Sequence, residues 1–166
     1  MLVIGESLRS DRVPGCGGRA GITAPPPGAV LLCDMLAASS STHVSVPLLV
    51  SRALPGSIDR VPRDGTMLKA FEAVGFQTFW LGVQEHAIAW PDAQNQVFEI
   101  RPGLDHDNLL PLLDKVLARP PPRKLIVLHA YGVHAPYGER YRAETAPFRV
   151  TQDLGGVPSR EHLAQW

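Results

Sequence analysis

Four residues in this sequence have the type and placement for metal-assisted nucleophilic chemistry. Glu6 closes a short apolar run, "LVIGE" (Leu2 to Glu6), and His129 closes another, "LIVL", with His134 five residues later. Thr42 stands just ahead of a third apolar stretch. Carboxylate and imidazole are ligands for a divalent ion such as zinc, and a hydroxyl beside such an ion gives up its proton more readily. The stretch "SSSTHVSVPLLVSR" (Ser39 to Arg52) places three serines, Thr42 and His43 directly before residues that favour burial. Hydroxyls in that position cap the free amides of a helix start. The same amides and the helix dipole also favour an anion, so a nucleophile presented there is stabilised. This stretch alone is compatible with both roles.

These residues meet only if the chain brings their elements to one edge. In open α/β sheets ligands sit at the carboxyl ends of the strands. Glu6 and His129 end predicted strands, and Thr42 starts a predicted helix running to Arg52, with Pro47 tolerated in its first turns. "TMLKAFEAVG" (Thr66 to Gly75) reads as a helix capped by Thr66 and ended by Gly75, with Met67, Ala70, Phe71 and Val74 on one face. "FQTFWLGV" (Phe76 to Val83) and "QVFEIR" (Gln96 to Arg101) read as strands. "DHDNLLPLLDKVLAR" (Asp105 to Arg119) reads as an amphipathic helix, acidic at its start and basic at its end as the dipole prefers, with Asp105 as its N-cap. "RKLIVLHAYGV" (Arg123 to Val133) begins as a buried strand and continues as a polar loop. "GAVLLCDMLA" (Gly28 to Ala37) is expected to be a strand or a short helix. Strands alternating with helices predict an α/β fold with helices on the faces of a sheet. After residue 150 the periodicity fades, so 151–166 is expected to be a loosely held tail.

Composition narrows the function classes. A chain of 166 residues with 45% hydrophobic content can bury one domain core. Formal net charge is zero and no Lys/Arg run stands out, which argues against a nucleic-acid partner. No apolar run is long enough to span a bilayer, and "MLVIGES" lacks the basic start of a signal peptide. The segment Pro14 to Ala29 is rich in Gly and Pro and must be loop; Cys16 and Cys33 flank it, as a disulfide or as two thiols.

Four motifs together resemble a known family. "VIGESLRSDR" (Val3 to Arg12), "SSTHVSVP" (Ser40 to Pro47), "GFQTFWLGVQE" (Gly75 to Glu85) and "LIVLHAYGVHAPYGERY" (Leu125 to Tyr141) stand in the order and approximate spacing of the phosphoethanolamine transferases. These belong to the alkaline phosphatase and sulfatase superfamily and include enzymes that modify lipid A and confer colistin resistance. The resemblance implies a three-layer α/β/α sandwich of alkaline phosphatase type. It implies Zn2+ bound by Glu6 and by Thr42, with Thr42 the nucleophile that takes up phosphoethanolamine. His129 and His134 match the two histidines that line the substrate region. It further implies a phospholipid donor, phosphatidylethanolamine, and a glycolipid or sugar acceptor. The site of action would be the periplasmic side of a bacterial inner membrane, with membrane association of the full-length protein.

The departures from that pattern are specific. The family's remaining zinc ligands lie in an Asp-His-Gly motif after a later strand, and this sequence contains none. "LDHD" (Leu104 to Asp107) has Asp-His but opens a helix. Ala38 and Leu48 stand where family members carry cysteines around the nucleophile. A lysine that contacts substrate in some members has no clear counterpart, Glu85 or His86 being the nearest stand-ins. A buried strand at residue 2 suggests that Met1 is an internal boundary. Residues 1–150 are therefore expected to be an incomplete catalytic domain, its N-terminal part. Two readings compete with the transferase: an inactive, truncated relative with half a metal site, and a related phosphodiesterase or sulfatase-like hydrolase. A sulfatase needs a Cys/Ser-x-Pro-x-Arg pattern; Ser45 and Pro47 fit it, but Leu49 stands where arginine is required.

Overall fold

The computed structural model describes residues 1–18, 25–84, 92–99, 104–120, 122–134, 138, 140–142 and 144. In chain order the elements are β1 (Leu2–Ile4), α1 (Thr42–Leu49), α2 (Val61–Asp64), α3 (Met67–Ala73), β2 (Gln77–Gly82), β3 (Asn95–Phe98), α4 (Asp105–Leu117) and β4 (Lys124–His129). The four strands form one sheet in the order β1-β4-β2-β3, and every pairing is parallel. A parallel sheet is covered on both faces, so its central strands need apolar side chains at successive positions. "LIVL" in β4 and "FWL" in β2 meet that need.

The two faces carry separate cores. Leu125 and Val127 of β4 and Trp80 of β2 pack with Val46 and Val50 around α1 and with Leu68 of α3. Ile126 and Leu128 of β4, with Phe79 and Leu81 of β2, pack against Leu109, Leu112 and Val116 of α4. Helices thus lie on both sides of the sheet, which is a three-layer α/β/α arrangement. Trp80, Phe79, Leu81, Val127 and Leu68 are between 0% and 1% exposed. Each such side chain contributes about 1.5–3 kcal/mol by leaving water.

Local chemistry sets the element ends. The Thr66 hydroxyl accepts the Lys69 N–H at 3.4 Å and starts α3. Its end is a double turn: Gly75 N–H donates to Glu72 O at 2.9 Å and Phe76 N–H to Phe71 O at 3.1 Å, with Gly75 at φ +85°. Phe71 and Phe76 close the turn edge to face, ring centroids 5.0 Å apart.

Some expectations need correction. Leu68 is the fully buried residue of α3, while Val74 is 62% exposed. Helical geometry stops at Ala73, so Val74 belongs to the turn and is carried out to solvent. Residues 28–37 form neither strand nor helix. A strand needs a neighbour to take its backbone groups, and none of the four sheet strands pairs with this segment. Its apolar side chains lie outside, Val30 at 85% and Leu36 at 94% exposure. What holds it is a disulfide, Cys33 to Cys16, with Cα atoms 5.2 Å apart. Asp105 is not an N-cap: Leu104 is, and Asp105 is the first residue of α4. Residues 100–101 of the predicted third strand and all of 151–166 lie outside the described residues.

Candidate active site

The register of the sheet assembles the site. Ile4 of β1 and Gly82 of β2 both stand opposite His129 of β4. All three strands run the same way, so their carboxyl ends open on one edge. Glu6 lies two residues beyond Ile4, and Gln84 two residues beyond Gly82. His129 shares its face of β4 with Val127, the face covered by α1, whose first residue is Thr42.

At that edge Glu6 is the hub. Its Oε2 accepts the Thr42 hydroxyl at 2.8 Å. Its Oε1 accepts from the Gln84 amide and lies 3.0 Å from His129 Nε2. The Gln84 amide also donates to Ala130 O at 3.3 Å. The Glu6 side chain is 10% exposed and His129 is 0% exposed. Burial pushes the His129 imidazole below its ordinary value, against the Glu6 carboxylate, which acts to raise it. Burial therefore favours the neutral ring, and Nε2 is the ring nitrogen that faces the carboxylate. Its edge meets the face of Trp80 at 90°, centroids 5.7 Å apart. Buried His129 Nδ1 and Trp80 Nε1 have no hydrogen-bond partner among the described residues.

The start of α1 separates capping from chemistry. Ser41 is the N-cap, and its side chain makes no cap hydrogen bond. Its carbonyl opens the helix by accepting Ser45 N–H at 2.8 Å. The Thr42 hydroxyl points to the carboxylate instead of back to the helix. A nucleophile and a base within hydrogen-bond reach, with the base held by further groups, is the arrangement that activates a hydroxyl.

Backbone geometry fixes the hub. Ser7, directly after Glu6, has φ 62°, a left-handed conformation costly for a non-glycine residue. Gly132, at φ +61°, lies against Glu6: a Cβ there would sit 2.8 Å from Glu6 N and 2.9 Å from Glu6 O. Only glycine permits that approach. His134 stands at the rim: it is exposed, its N–H donates to Tyr131 O at 3.1 Å, and its ring is tilted against Tyr131 at 6.2 Å. Arg140 covers Tyr131, its guanidinium 4.1 Å from the ring centroid. The structure thus brings Glu6, Thr42 and His129 together and sets His134 on the following loop. Glu85 and His86 lie outside the described residues.

Sequence reasoning missed Gln84 and Gly132 as parts of the site. Gln84 carried a signal, a polar residue directly after a buried strand. Gly132 carried only its place between His129 and His134. As for a metal, Glu6 Oε2 and Thr42 Oγ1 form a pair of oxygen donors of the right type. Zinc takes three or four protein ligands, and no group of three or more His, Cys, Asp or Glu that could hold a metal occurs among the described residues. The pair fits part of a zinc site and does not complete one.

No family model matches the sequence, and no curated protein does. Solved structures do match. The C-terminal periplasmic domain of EcEptC from Escherichia coli superposes with a TM-score of 0.78 at 22% identity, over 96% of this chain and 50% of that one. The same domain in complex with Zn gives 0.74 at 20% identity, over 96% and 51%. The C-terminal periplasmic domain of phosphoethanolamine transferase EptC from Campylobacter jejuni gives 0.76 at 22% identity, over 99% and 55%. The chain thus has the fold of these periplasmic domains and spans about half their length. No described helix is long and apolar enough to cross a membrane.

Proposed function

We propose that this chain is the nucleophile-bearing part of a phosphoethanolamine transferase. In this reading Thr42 takes phosphoethanolamine from phosphatidylethanolamine and passes it to a glycolipid or sugar hydroxyl. The observation that carries the reading is the Thr42 hydroxyl hydrogen-bonded to the Glu6 carboxylate at 2.8 Å, at a helix start on the carboxyl edge of the sheet. The likeness to the solved EptC domains supports it, as does the order of the four motifs.

The residues present support a two-step transfer. Glu6 orients the Thr42 hydroxyl and accepts its proton as Oγ1 attacks phosphorus. The Thr42 Oγ1–P bond forms, and the bond from phosphorus to the glycerol oxygen breaks. Diacylglycerol leaves as the alcohol, its oxygen protonated by solvent water. The acceptor hydroxyl then attacks phosphorus: the acceptor O–P bond forms, the Thr42 Oγ1–P bond breaks, the acceptor proton passes to solvent, and Thr42 Oγ1 takes back the proton held by Glu6. Gln84 and His129 hold the Glu6 carboxylate in place throughout. The first amides of α1 face the charge that builds on the phosphoryl oxygens. In this reading His134, at the rim, contacts donor or acceptor. Zinc, if bound, would be held by Glu6 and Thr42 with further donors; it would then take the place of the hydrogen bond between them and supply the Lewis acidity that favours loss of the hydroxyl proton. Residues 1–150 are in this reading the N-terminal part of the catalytic domain. In this reading the reaction takes place on the periplasmic side of a bacterial inner membrane, which holds the phospholipid donor; the likeness to periplasmic domains supports the periplasmic part of it.

Mass spectrometry of the protein after incubation with phosphatidylethanolamine vesicles and zinc tests the proposal. A phosphoethanolamine adduct on Thr42, absent from Thr42→Ala, is expected. An unmodified Thr42 in zinc-loaded protein overturns the reading.

A further inference from the structure

We propose that Asp105 is a positioning residue for the Glu6–Thr42 pair, acting from the opposite layer of the fold through the loop after β4. The inference rests on the reading of that pair as the reaction centre. Asp105 opens α4, which packs on the face of the sheet away from α1. A carboxylate in the first turn of a helix ordinarily serves that helix's own free amides. Asp105 serves a different segment: its Oδ2 accepts the Gly132 N–H at 2.8 Å.

Gly132 is the residue whose backbone presses on Glu6. On either side of it the loop grips the same strand. Val133 N–H donates to Glu6 O at 3.1 Å, and Ala130 N–H donates to Ile4 O at 2.8 Å. Glu6 itself follows a three-residue strand at the edge of the described sheet and precedes Ser7 in its left-handed conformation. The position of the loop 130–133 therefore sets where Oε2 meets the Thr42 hydroxyl. Asp105 ties that loop to α4, whose Leu109, Leu112 and Val116 are buried in the second core. The route is continuous: Asp105 carboxylate, Gly132 amide, Glu6 backbone, Glu6 carboxylate, Thr42 hydroxyl.

Three variants of the full chain separate position from charge. Asp105→Asn keeps an oxygen acceptor and loses the charge. Asp105→Glu keeps the charge and moves the oxygen by one methylene. Asp105→Ala removes both. The readouts are the carbon-13 shift of the Glu6 carboxylate and the exchange rate of the Gly132 amide. The expected pattern is a displaced Glu6 signal and Gly132 exchange faster on the order of tenfold, the loss of one hydrogen bond, in Asp105→Glu and Asp105→Ala. Asp105→Asn should keep the wild-type signature. Any other pattern overturns the proposal: a Glu6 signal unmoved in Asp105→Glu, or one moved in Asp105→Asn, which would report charge. If Asp105→Ala does not fold, the Asn and Glu variants decide alone. In a transfer assay the Glu variant should lose on the order of tenfold in kcat with KM unchanged, as for a misplaced reacting group. Absence of turnover in the wild-type protein would count against the transferase reading, while the Glu6 and Gly132 signals still decide the positioning.

Discussion

Thr42, Glu6 and His129 form a chain of hydrogen bonds in which each group constrains the next. Glu6→Gln keeps the size of the side chain and removes its basicity. It should lower formation of the Thr42 adduct by about 10²–10⁴-fold, the range for a positioned general base, as read by adduct mass against time. An adduct rate within error of the wild type would remove Glu6 from the mechanism. His129 gives a pH signature. Its folded-state value lies below the ordinary 6.5 because burial disfavours the imidazolium. Below that ordinary value the unfolded chain takes up a proton that the folded chain refuses. The stability that His129 contributes is therefore present above about 6.5 and falls as pH drops toward the depressed folded value. Urea melts at several pH values between 5 and 7.5 should show this slope, and His129→Gln should flatten it. Gly132 and Gly75 offer a paired comparison. Both have left-handed backbones, costing about 1–2 kcal/mol for an L residue. A Cβ at Gly75 meets only the mobile end of Arg123, at 3.4 Å, whereas at Gly132 it meets Glu6 backbone at 2.8 Å. Gly132→Ala should therefore destabilise more than Gly75→Ala in thermal melts; equal losses would show that the loop yields freely.

At the scale of elements, the connection from β1 to α1 deserves a physical account, because Glu6 stands at one end of it and Thr42 at the other. The Cys16–Cys33 disulfide lies inside that connection, closing a loop of 17 residues in separation. In the chain-entropy picture a loop of this size stabilises by about 3 kcal/mol. Cys16→Ser with Cys33→Ser should lower the urea midpoint accordingly. Insensitivity of the wild-type midpoint to reductant would show that the crosslink constrains nothing that folding must order. The start of α3 is a second test of local design. Thr66 accepts the Lys69 amide and donates to Asp92 Oδ2 at 3.0 Å, tying the helix to the segment before β3. Thr78 extends this tie, donating to Glu72 and accepting Gln94 N–H at 2.9 Å.

At the scale of the whole molecule, β1 and β3 are the edges of the described sheet. Val3 on β1 is 59% exposed and Met1 is 73% exposed. An open edge with an exposed β-branched residue invites pairing with another strand, and a net charge of zero gives little repulsion to oppose it. Concentration-dependent self-association is expected by sedimentation velocity near pH 7, and Val3→Lys should weaken it. A monomer unaffected by concentration would show the edge to be protected.

Local patterns made much of this molecule legible. The apolar runs of β2 and β4, the Gly75 turn and the dipole-matched charges of α4 follow from interactions within a few residues, and the sequence by itself determined them. The convergence of Glu6, Thr42 and His129 was also legible, because the carboxyl ends of parallel strands and the starts of helices share an edge. Gln84, Gly132 and Asp105 were not legible as partners of that site. Their contacts depend on β4 lying between β1 and β2, an order that departs from chain order, and on a register that sets Ile4 and Gly82 opposite His129. Likewise, residues 28–37 have a composition that suits a strand or a short helix, and they pair with none of the four described strands. Side-chain periodicity is a property of neighbours along the chain. Strand order and register arise from pairing between segments far apart, and the tertiary structure decided those.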